Sequence, residues 1–139
     1  MVEINNQTKN KINSKLLKAV AEKFLVYYKV SKKEVSIAIV TDSTIKKINE
    51  QYRHQAKVTD VLSFVGEGDF LGEIVIDYAQ IKRQAKEFNR KINDELIFIL
   101  VHGLLHLIGY NDETEKDRLN MVKLGENFIN LKCKNQKSK

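Results

Sequence analysis

His102-Gly103-Leu104-Leu105-His106-Leu107-Ile108-Gly109-Tyr110-Asn111-Asp112 sets two imidazoles and a carboxylate where they could share one cation. Histidines four apart on a helix leave from the same face, because one turn takes 3.6 residues. Gly109 stands where a glycine can end a helix in a left-handed turn. Asp112 follows three residues later, where a reversed chain could return a third ligand. The rest of the helical stretch is apolar, and burying two imidazoles there is costly unless their nitrogens find partners. A divalent metal satisfies both at once. Catalytic zinc commonly takes three protein ligands and leaves one position open, and a pair of histidines with one carboxylate suits it. Relative to three neutral histidines, the carboxylate lowers the charge of the centre and admits metals that prefer oxygen, such as manganese. Two alternatives stay open. Each histidine could bond a neighbouring carbonyl or side chain, and Asp112 could serve as the N-cap of the next helix. His54, beside Arg53, reads as an exposed loop histidine and is the alternative third ligand.

Periodicity predicts the elements that carry these groups. Ile12, Leu16, Ala19, Val20, Phe24 and Tyr27 mark one face of a helix within residues 10–29. Val35 to Val40 reads as a strand, and Thr41-Asp42-Ser43-Thr44 offers caps for a helix reaching Tyr52. Asp60 to Val65 and Leu71 to Asp77 read as strands of a hairpin, joined by Gly66-Glu67-Gly68-Asp69. Tyr78, Ile81, Ala85 and Phe88 mark an amphipathic helix. Asn93 or Asp94 is the expected cap of the next helix, which runs to Ile108 and is apolar on nearly every side, hence central and enclosed. A last helix from Glu113 to Leu131 is expected to turn Leu119, Val122, Leu124, Phe128 and Leu131 inward. The expectation is one α+β domain over residues 1–131, a small mostly β-sheet layer packed with about five helices. The metal site falls on the central buried helix, a zincin-like arrangement, and residues 132–139 form a basic tail expected to be flexible.

Composition narrows the class. A chain of 139 residues with 42% hydrophobic and 30% charged residues suits one soluble globular domain. Its single cysteine, Cys133, excludes an internal disulfide and a cysteine-rich zinc site. No apolar signal core opens the chain, and the most apolar window, Leu96 to Ile108, is too short to span a bilayer. A cytoplasmic, non-membrane protein is expected. The net charge of +6 favours polyanions. Lysine supplies 20 of the 24 cations and proline is absent, a bias that would raise the charge whatever the function.

The spacing HxxxHxxGxxD is similar to the zinc-binding stretch of metzincin-type hydrolases, with two changes. Gly103 stands at their glutamate base and Asp112 at their third histidine. HGLLHLIGYND more fully resembles the HGxLHLxGYDH signature of the YbeY family of bacterial ribosomal RNA maturation factors. Asn49-Glu50-Gln51-Tyr52-Arg53 with Thr59-Asp60-Val61-Leu62-Ser63-Phe64 resembles that family's N-x-x-Y-R…P-T-D-V-L-S-F-P stretch. Leu71-Gly72-Glu73-Ile74-Val75-Ile76 resembles its L-G-D-I-V-I strand. Asn111 replaces the usual acid, and Val58 and Val65 stand at two prolines.

The resemblance implies a metal-dependent endoribonuclease specific for single strands, acting in 16S ribosomal RNA 3′-end maturation and ribosome quality control. It implies one divalent ion, zinc in the first place, held by His102, His106 and Asp112, and a catalytic role for Arg53. The partners implied are ribosomal RNA and the small ribosomal subunit, together with ribosomal proteins and an assembly GTPase. The rival reading is a non-catalytic ribosome-assembly or RNA-binding protein with a structural or degenerate metal site. A metalloprotease is the weakest reading, because Gly103 supplies no base.

Overall fold

The computed structural model describes residues 1–134, and most elements begin where the sequence offers a cap. β1 (Val2–Asn6) precedes α1 (Ser14–Tyr27), whose cap Asn13 accepts from the Leu16 N–H at 3.1 Å. β2 (Glu34–Val40) runs into Thr41, the cap of α2 (Asp42–Arg53). β3 (Val61–Val65) and β4 (Phe70–Asp77) form the expected hairpin, with Gly68 in the left-handed region of the turn at φ 61°. Then come α3 (Tyr78–Glu87), α4 (Ile92–Leu107) and α5 (Glu115–Ile129), and Asn130–Lys134 close as a π-helical turn.

The sheet order is β1-β2-β4-β3, parallel through the first three strands and antiparallel between β4 and β3. Leu17 and Phe24 of α1, Ile81 of α3 and Leu100 and Leu104 of α4 pack with Ile37, Ile74 and Ile76 of the sheet in one apolar layer. On the other face, Ile45 of α2 joins Ala38, Val40, Leu62 and Val75. This is the expected small α+β domain, five helices on a four-stranded sheet. α4 is enclosed as its composition demanded, with Leu96, Leu100, Val101, Leu104 and Leu105 fully or almost fully buried. Its one buried acid, Glu95, accepts from Arg90 at 2.9 Å and from Gln84 at 3.0 Å, which offsets the cost of desolvating a carboxylate.

Several expectations change. β1 carried too little apolar signal to read, since only Val2 and Ile4 are apolar. It forms because β2 offers an open edge, in the register Val2 to Val35. The cap of α4 is Lys91, with no side-chain bond, and Asp94 instead lies in the first turn, where its charge complements the dipole. Leu119 and Leu131 point outward at 57% and 55% exposure. The 3.6-residue period from Met121 reaches Gly125 and Phe128 and leaves Leu119 on the far side. Helical structure continues through Lys134, three residues into the expected tail, and the remaining tail residues lie outside those described.

Asp77 ends β4 and caps α3, its Oδ1 accepting from the Ala79 N–H at 3.1 Å. The residue is fully buried, and its Oδ2 meets no donor among the described residues. Burial first, then the neighbouring Asp42 carboxylate, push its pKa up to about 7, so it is held as the acid against Asp42. Asp42 itself is pulled below the usual carboxylate range by the Arg83 guanidinium, 2.8 Å away. Between about pH 4 and 7 the folded state therefore keeps the Asp77 proton and the unfolded state does not. Stability should fall as pH rises across that window, by at most about 4 kcal/mol. The Asp42 contribution is lost only at lower pH. Asp77→Asn keeps the capping oxygen without the charge. It should melt above wild type at pH 8 and show a flatter profile from pH 4.5 to 8. Parallel melting curves for the two proteins would contradict the assignment.

Candidate metal centre

α4 carries His102 and His106 one turn apart, and its C-terminal turn decides where Asp112 goes. The Gly109 N–H donates to the His106 carbonyl and the Tyr110 N–H to the Leu105 carbonyl, each at 3.1 Å. That is the paired-bond helix ending in which the residue after the cap turns left-handed. Gly109 takes φ 109°, and a Cβ there would meet open space, so backbone conformation rather than room demands glycine. The chain reverses, and Asp112 returns to the histidines.

The Asp112 Oδ2 lies 3.6 Å from the Nε2 of His102 and 3.6 Å from the Nε2 of His106. The two rings meet edge to face at 4.9 Å, and one donor atom from each of the three residues lies within 4.8 Å of the others. These separations exceed a hydrogen bond. They suit a bridging cation, since zinc bonds of about 2.0–2.2 Å at tetrahedral angles hold donors roughly 3.4 Å apart. Burial first, then His106, lower the His102 pKa, while Asp112 and Asp60 oppose the shift. His102 is therefore neutral at pH 7, the form in which imidazole ligates. Its approach to Asp112 is not an ion pair. Three convergent donors, two of them imidazoles and one a carboxylate, fit a divalent metal.

Asp112 does not cap α5. Thr114 does, its side chain accepting from the Asp117 N–H at 3.0 Å. His54 ends α2 in the left-handed region at φ 58°, exposed, and is not in the cluster. It is the loop histidine its context suggested.

The cluster opens into a cleft of 470 Å3, with α4 as its floor and β3 and α5 contributing to its walls. Arg53, the last residue of α2, lines it, and among the described residues no carboxylate pairs with its guanidinium. Asp60, Ser63 and Arg118 also line the cleft and were not singled out from sequence. Asp60 had read as the first residue of a strand and Arg118 as helix surface, and no local spacing ties either to the histidines. The Ser63 hydroxyl donates to the Gly103 carbonyl at 3.1 Å and so braces the floor.

Gly103 explains why no glutamate follows the first histidine. A Cβ there would sit 3.2 Å from Ile74 Cγ2, 3.2 Å from Ser63 Oγ and 3.3 Å from Val61 Cγ2. The position faces the sheet, not the cleft, and lets α4 settle closely on β3 and β4.

The profile of the family described as Endoribonuclease YbeY matches residues 2–131. The Endoribonuclease YbeY of Persephonella marina is 40% identical over 130 residues, covering 87% of this chain and 85% of the relative. That of Myxococcus xanthus is 38% identical over 125 residues, covering 84% of this chain, which spans 42% of that longer relative. In three dimensions the chain is similar to a Thermotoga maritima protein solved in solution, with a TM-score of 0.65 and 31% identity over 100% of this chain and 96% of the other. Sequence motifs, the helix-turn that returns Asp112 and the extent of these matches agree, and the chain belongs to the YbeY endoribonuclease family.

Proposed function

We propose that the protein is a metal-dependent endoribonuclease specific for single strands. Its setting is the cytoplasm, in 16S ribosomal RNA 3′-end maturation and ribosome quality control. Ribosomal RNA on the small subunit is the proposed partner, with ribosomal proteins and an assembly GTPase around it. Family membership supports the nuclease. The observation that carries the mechanism is that Arg53, which has no acidic partner among the described residues, shares one cleft with the His102, His106 and Asp112 donors. No helix among the described residues is long and apolar enough to cross a membrane.

His102, His106 and Asp112 are the proposed ligands, with zinc the first candidate and manganese a second. When bound, the ion supplies Lewis acidity toward a phosphoryl oxygen or acidifies a water. The chain's own residues do the rest. Arg53 holds the scissile phosphate with its planar fork and offsets the charge that builds on the phosphoryl oxygens. Asp60, the one carboxylate outside the cluster among the described residues that line the cleft, is our candidate acceptor for the nucleophile's proton. The 2′-hydroxyl of RNA can itself attack, which reduces the need for a base beside the first histidine.

The test is cleavage of a single-stranded ribosomal RNA fragment by protein stripped with chelator and reloaded with zinc or manganese. Activity should vanish on stripping and return on reloading. Robust cleavage by metal-free protein would remove metal dependence. RNA binding without cleavage at any metal loading would favour the assembly-protein reading.

A further inference from the structure

The cleft holds a second guanidinium that the mechanism above leaves unused. Arg118, near the start of α5, lines the same cleft as Arg53 and the histidine pair. The two arginines arrive from different sides of α4. Arg53 stands next to Tyr52, whose ring packs edge-on against Phe64 of β3 at 5.3 Å and ties that end of α2 to the β3 wall. β3 meets α4 at Gly103, beside Val61 and Ser63. α5 meets α4 elsewhere, with Gly125 facing Val101 and Leu105. Two residues along a helix is about 200° of rotation, so the β3 and α5 contacts fall on opposite sides of α4. His102 and His106 lie between them. Among the described residues Arg118 is paired only with Glu115, at 3.6 Å, and both side chains are mostly exposed at 54% and 79%. A pair that long and that exposed contributes little and yields readily to a better anion.

We propose that Arg118 is a second phosphate-binding residue, so that a single strand is gripped at two phosphates, one on each side of the metal cluster. The inference rests on reading the cleft as an RNA site and adds a residue and a minimum footprint to it. A planar guanidinium suits phosphate for the same reason at both walls. Each phosphate neutralised on a single strand adds about 0.7 to the slope of log affinity against log salt.

The test is the Kd of metal-loaded protein for a fluorescein-labelled 2′-O-methyl RNA decamer, measured from low to moderate salt. Arg118→Ala should weaken binding about tenfold at low salt and reduce the salt slope by about 0.7. Arg118→Lys should recover the slope but not all of the affinity, because the point charge remains and the fork is lost. Lys86→Ala removes an exposed cation from α3, outside the cleft, and serves as the control. Melting temperature and metal content, measured on each variant, separate a folding defect from a binding one. Arg118→Ala indistinguishable from Lys86→Ala in both Kd and slope would overturn the proposal while leaving the nuclease reading intact. Wild-type protein that shows no salt-dependent binding would instead remove the RNA site itself, and this inference with it.

Discussion

Arg53→Ala is expected to slow cleavage of single-stranded RNA by about 10²–10³-fold, as removal of one preorganised donor to a developing oxyanion does elsewhere. Fold and metal content should stay at wild-type levels. Arg53 is exposed at the end of α2, makes no ion pair among the described residues, and is not one of the three clustered donors. Its one structural contribution is a positive charge in the last helical turn, worth a few tenths of a kcal/mol and too little to unfold the chain. Arg53→Lys should recover only part of the rate, because an ammonium is a point charge and cannot bond two phosphate oxygens in one plane. Single-turnover rates with melting curves and metal analysis on the same preparations check this. A rate within threefold of wild type would remove Arg53 from the chemistry.

Gly103→Glu should fail for a different reason. It restores the glutamate of the HExxH pattern on paper, yet it is expected to destabilise the chain by more than about 3 kcal/mol and to create no peptidase. Replacing glycine in a helix interior gains roughly 1 kcal/mol of propensity. Against that, the new side chain enters a space where even a Cβ lies 3.2 Å from Ile74 Cγ2 and Ser63 Oγ, and its charge has no partner there. Gly103→Ala separates the two costs, since it adds the crowding without the charge and should stay within about 1 kcal/mol of wild type. Urea melts of both variants measure this. A Gly103→Glu protein as stable as wild type would mean that the position opens toward the cleft after all.

The three-donor cluster was legible from sequence because all three donors fall within eleven residues on a helix and its terminal turn. Spacing alone then predicts which side chains meet. Gly109 carried the decisive information, since its left-handed conformation is what returns Asp112. Arg53 was found only through its resemblance to a motif, because its place in the cleft depends on how α2 docks on the sheet. Asp60 and Arg118 were not found, for the same reason: they reach the site by tertiary packing from a strand end and from the next helix. β1 was invisible because its strand character comes from the neighbour it pairs with. The inward face of α5 was misjudged at Leu119, where leucine suggests burial but the helical phase set by Met121 and Phe128 turns outward, and at Leu131, which lies beyond α5 in the π-helical turn.

If His102, His106 and Asp112 together hold the metal that makes the cleft a nuclease, metal content must depend on all three. The measurement is metal content after stripping and reloading, on wild type beside His102→Ala, His106→Ala, Asp112→Ala and Asp112→His. One ion per wild-type chain is expected. Almost none should remain in either histidine variant, with weakened retention in Asp112→Ala, retention in Asp112→His, and cleavage following the metal in the alanine variants. Stoichiometric metal in both His102→Ala and His106→Ala would contradict that dependence.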